Sequence, residues 1–99
     1  MGIWPGGKGA VERRLKQNSM RLRSLRDELG VIDEQLAHLS EDAEDLSIRS
    51  IVSDSTGPAY EHRQAQEHAD AMARHRAHVV AEIAELERRQ DELLDRMSG

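Results

Sequence analysis

The chain has 99 residues, 33% of them charged, a formal net charge of −5 at pH 7, one Trp, one Tyr and no Phe. That length allows one domain, and so few aromatics leave little with which to build a globular core. The absence of cysteine excludes a disulfide framework, a thiolate metal site and a Cys nucleophile. High charge with few aromatics can signal disorder, but here the Leu, Ile and Val recur periodically, which suits helices sharing a narrow apolar seam.

Residues 1–9 hold four Gly and one Pro and read as a flexible tail carrying Trp4. The run from Gly2 to Gly9 falls one residue short of a phosphate loop, because no Ser or Thr follows Lys8 and no strand can precede residue 2. The start lacks the apolar stretch of a signal peptide. No stretch approaches the roughly 18 apolar residues of a membrane span. A soluble, cytoplasmic protein without a membrane span is expected.

Helix 1 is expected over about 10–52. Steps of four and three select Val11, Leu15, Asn18, Leu22, Leu25, Leu29, Ile32, Leu36, Leu39, Ala43 and Leu46, all apolar except Asn18. A heptad held over that span is a coiled-coil pattern. Gly30 costs the helix about 1 kcal/mol relative to Ala but sits beside the seam. Ser40 could cap a restarted helix, yet Ala43 and Leu46 keep the register, so a continuous helix is favoured. Residues 53–58 contain Gly57-Pro58 and form the interior break.

Helix 2 follows over about 59–97. Its seam is Ala65, Ala69, Met72, Arg76, Val79, Ile83, Leu86, Gln90, Leu93 and Met97, with Arg76 and Gln90 as polar interruptions. Two long helices and a short turn make an all-α antiparallel hairpin. Val31, Val80, Ala84 and Leu94 widen the apolar face beyond the seam. Each further Leu or Val among them could add about 1.5–3 kcal/mol if buried, so dimerisation into a four-helix bundle, or docking onto a partner's helix, is expected.

Surface charges favour one register over its neighbour. With Leu22 opposite Leu93, Leu29 opposite Leu86, Ile32 opposite Ile83 and Leu36 opposite Val79, the flanks bring Glu28 near Arg89 and Arg26 near Glu87. A slip of one heptad puts Asn18 opposite Gln90 but sets Arg14 against Arg96, Arg21 against Arg89 and Glu28 against Glu82. Each such pair is worth a few tenths of a kcal/mol, so the first register is preferred.

The remaining chemistry is thin. His62, His68, His75 and His78 crowd helix 2, and His75, His78 and Glu82 share a face with metal-ligand spacing; solvated surface histidines account for them as well. No Glu-x-x-His pair and no nucleophile turn occur, so no cofactor, no metal and no enzymatic activity are expected.

Charge is segregated: residues 8–26 contain seven Lys and Arg against Glu12, and residues 27–54 nine acids against Arg49. Such asymmetry suggests an anionic partner at one end. Trp4, Arg13, Arg14, Lys16 and Arg21 are the candidate partner-binding residues. Leu15, Leu22, Leu25, Leu29, Ile32, Leu36, Leu39, Met72, Val79, Ile83, Leu86 and Leu93 are the candidate assembly seam.

The favoured function is a small non-enzymatic coiled-coil structural or adaptor protein, pairing with itself and with an unidentified protein. The alternative is a nucleic-acid-associated accessory protein held by the basic start of helix 1, disfavoured by net acidity. A helical hairpin of this length with Trp4-Pro5-Gly6 superficially resembles the WXG family of small secreted proteins. That family carries Trp-x-Gly in the turn, whereas here the motif is in the tail and the turn reads Ser-Thr-Gly-Pro.

Overall fold

The computed structural model describes residues 8–53 and 56–98. They form two helices, α1 (Lys8–Val52) and α2 (Gly57–Ser98), packed against each other as a hairpin. Trp4 lies outside the described residues.

Helix α1 passes through Gly30 and Ser40 without a break. At its end the Ser53 N–H donates to the Arg49 carbonyl at 3.0 Å, and the Tyr60 N–H donates to the Thr56 carbonyl at 3.1 Å to open α2. Gly57-Pro58 was expected to lie in the break. Instead both residues belong to the first turn of α2, where the N–H that proline lacks would have had no intrahelical acceptor.

The hairpin divides into two compact units, one of residues 1–28 with 79–99 and one of residues 29–78. In the first, Leu22, Leu25, Val79 and Leu93 are buried, and Leu25 is the most enclosed side chain at 1% exposure. Leu15, Ile83 and Leu86 are half-buried there. In the second, Ile32, Ala43 and Ala69 are buried, with Leu29, Leu36, Leu39 and Met72 half-buried. Partial burial is the physical outcome of a two-helix seam, which has a partner on one side only.

The register is the slipped one, not the one that surface charge favours. In the first unit the Asn18 amide, 8% exposed, donates from Nδ2 to the Leu86 carbonyl at 2.8 Å and to Gln90 Oε1 at 2.8 Å. Gln90 Nε2 in turn donates to Ser19 Oγ at 3.0 Å. In the second unit Arg76 meets Asp33 at 2.5 Å, the same offset between the helices.

Two physical terms decide the outcome. A buried amide left without partners costs about 1–3 kcal/mol, more than several exposed ion pairs together. The expected Arg21–Arg89 opposition is also softened, because Arg21 reaches along the helix to Glu82 at 2.9 Å. The Arg26–Glu87 pair, expected in the other register, forms here at 3.1 Å, since long side chains span a turn in either direction.

No buried side-chain polar atom among the described residues is without a partner. Arg76 interrupts the seam at an a position and resolves the conflict by turning its guanidinium out to Asp33, keeping its stem on the seam. The carboxylate holds the Arg76 guanidinium above its ordinary pKa, through the hydrogen bond first and charge second.

Two stability outcomes follow. Asn18→Ala removes the donor to Gln90 Oε1 and to the Leu86 carbonyl and should lower stability by about 1–3 kcal/mol in urea denaturation followed by circular dichroism; an unchanged midpoint would contradict the polar layer. Gly30 is exposed, a Cβ there meets nothing within 4 Å, and no described glycine has positive φ. Gly30→Ala should therefore stabilise by about 1 kcal/mol, read as a higher thermal midpoint.

Candidate association and anion-facing surfaces

The seam residues face inward because the 3.5-residue repeat keeps a and d positions on one stripe of each helix. Their neighbours on the helix flanks do not. Met20, Val80 and Leu94 are exposed in the first unit, and Val31, Ile48, Ile51, Val52 and Tyr60 in the second. Ile48, Ile51 and Val52 stand at i, i+3 and i+4 and share one face of α1; Ile51 and Val52 are 80% and 79% exposed. The guanidinium of Arg63 stacks over the Tyr60 ring, 5.9 Å from its centroid.

The basic residues at the start of α1 are dispersed. Arg13, Arg14, Lys16 and Arg21 are all exposed, but they do not form one surface. Lys16 lines a shallow hollow with Ser19, Met20, Arg23, Ser24 and Asp27. Arg14 and Arg21 line a different one, of about 450 Å³, together with Gln17, Asn18, Arg89, Glu92, Leu93 and Arg96. Arg13 lines neither.

Arg89 and Arg96 were not among the expected binding residues. The signal that could have found them is the slipped register itself, whose Arg14–Arg96 and Arg21–Arg89 oppositions place these four side chains around one space.

The acids near the hollow are engaged. Glu82 takes both the Nε and an Nη of Arg21, and Glu92 pairs with Arg88. Arg88 also bonds Glu85 at 2.5 Å and, through that hydrogen bond and its charge, with Arg89 assisting, holds the Glu85 carboxyl below the usual carboxylate range. Arg14 and Arg96 make no hydrogen bond or ion pair among the described residues.

Net charge differs between the units. The first carries seven Lys and Arg with three acids on its α1 side, and three Arg with six acids on its α2 side, a net of +1. The second carries four Arg and ten acids, a net of −6. His38 and His68 line a small hollow with Gln35, Leu39 and Met72. No group of three or more His, Cys, Asp or Glu among the described residues could hold a metal ion. No helix among them is long and apolar enough to cross a membrane. No family model, curated protein or solved structure matches the chain.

A depressed carboxyl contributes stability above its unfolded pKa of about 4.3, and that contribution disappears as pH falls through the folded value. An NMR titration should place Glu85 below the ordinary glutamate value, and Arg88→Gln should move it upward. A Glu85 that titrates at the ordinary glutamate value would show the pair to be absent in solution.

Proposed function

We propose that the chain is a non-enzymatic structural or adaptor protein whose hairpin mediates protein–protein association, beginning with a second copy of itself in a four-helix bundle. The observation that carries this reading is the set of apolar side chains left exposed beside a seam that is itself only half-buried along much of its length. Isolated exposed apolar residues need no explanation. Ile48, Ile51 and Val52 are not isolated, and neither are Val80 and Ala84, which are exposed at i and i+4. Each large side chain covered by a partner would contribute about 1.5–3 kcal/mol, against an association that forfeits translational and rotational freedom.

A cytoplasmic site of action belongs to the same proposal, and an unidentified protein remains the second partner. No catalytic role is assigned: the described hollows are open grooves, and the Glu92 and Glu87 carboxylates that line two of them are paired with Arg88 and Arg26. The nucleic-acid reading has one observation in its favour, the joining of Arg14 and Arg21 with two further arginines. The net charge of −6 on the second unit opposes an extended phosphate backbone.

Sedimentation of the isolated chain should give a dimer. Ile48→Ser with Ile51→Ser and Val52→Ser, or Val80→Ser with Leu94→Ser, should shift it to monomer with helicity retained. A wild-type monomer throughout the micromolar range would remove the proposal.

A further inference from the structure

We propose that the hollow framed by Arg14, Arg21, Arg89 and Arg96 binds a small multivalent phosphate anion, of the pyrophosphate or tripolyphosphate class. The four arginines come in two pairs, each separated by seven residues on one helix, so each pair stands on one face about 10 Å apart along the axis. The two helices thus present guanidinium groups from both sides of one space of about 450 Å³. That volume lies within the range of small-ligand sites.

The charge in the hollow is unbalanced. Four arginines line it with Glu92 as the one acid in the lining; Glu92 is paired with Arg88, and Glu85, outside the lining, is the acid that Arg89 acts on. Arg21 uses Nε and one Nη on Glu82, while Arg14 and Arg96 make no such bond among the described residues. A single carboxylate would neutralise one of these groups. A di- or triphosphate carries enough charge to answer several and offers oxygens to more than one guanidinium fork, the geometry that arginine serves best. Where it meets the seam the hollow is lined by Leu93 and Asn18. Gln17 adds an amide, whereas the Asn18 amide is committed to Leu86 and Gln90.

The register explains why the charges converge. The polar layer at Asn18 fixes the offset between the helices, and that offset brings like charges together at a cost in repulsion. A bound anion would reverse the sign of that term, so it should stabilise the folded hairpin by mass action. A long nucleic acid would gain the same contacts but also meet the acidic second unit. A small anion meets the hollow alone.

The test is calorimetric titration of the full chain with sodium tripolyphosphate, alongside thermal unfolding with and without it. Saturable binding near one anion per chain is expected, with a raised thermal midpoint. Arg89→Gln and Arg96→Gln should each weaken binding at least tenfold, while Arg13→Gln and Lys16→Gln, which remove the same charge outside the hollow, should change it less than twofold. In the absence of anion, Arg96→Gln should raise the midpoint by relieving repulsion, which separates loss of the site from loss of the fold.

Equal weakening by all four variants would show a diffuse ionic atmosphere and overturn the site. So would a midpoint shift matched by sodium chloride at equal ionic strength. Tighter binding of single-stranded RNA or duplex DNA through the same arginines would overturn the assignment to a small anion. This outcome is independent of whether the chain dimerises.

Discussion

A single buried amide sets the relation between the two helices. A heptad seam made of Leu, Ile, Val and Ala is nearly self-similar on sliding by seven residues, so apolar burial alone discriminates weakly between neighbouring offsets. Asn18 does discriminate. At 8% exposure it must find partners inside the hairpin, and one offset supplies both a main-chain carbonyl and the Gln90 side chain. A polar residue at a seam position thereby exchanges some stability for uniqueness.

The same offset distributes the surface charge. It brings Arg21 within reach of Glu82, leaves Arg26 with Glu87 and joins Arg76 to Asp33. It also gathers the arginines that form the cationic hollow. Exposed pairs of this kind contribute little each, so they accommodate the offset instead of choosing it. The hollow and the polar layer are therefore two faces of one constraint, adjacent along α1 because Arg14, Asn18 and Arg21 follow the same helical stripe.

The helices were legible in the sequence because their signal is repeated many times: every a and d position from Val11 to Leu46 is buried or half-buried. The register was not, for two reasons. Pairwise charge counting treats Arg and Glu as fixed points above their Cα positions, whereas Arg21 pairs with Glu82, seven residues or about two turns from its nominal opposite, Arg89. It also weighed exposed pairs while setting aside the amide that is costly to leave alone. Arg89 and Arg96 were missed with the register, since only the correct offset places them beside Arg14 and Arg21. The entry of Gly57 and Pro58 into α2 was misjudged because proline reads as a stop from one side and as a start from the other.

The polar layer joins residues separated by 72 positions, whereas Arg76 and Asp33 are 43 apart. Closing a longer loop costs more chain entropy, so contacts nearer the turn form with less loss than the polar layer does. The check on alignment therefore sits where loop closure is among the most costly. A chain that started with the wrong alignment would join the contacts nearer the turn before meeting an unsatisfied amide, and would have to separate them to correct it. Refolding with a slow corrective phase that vanishes in Asn18→Leu would be the kinetic trace of this late inspection.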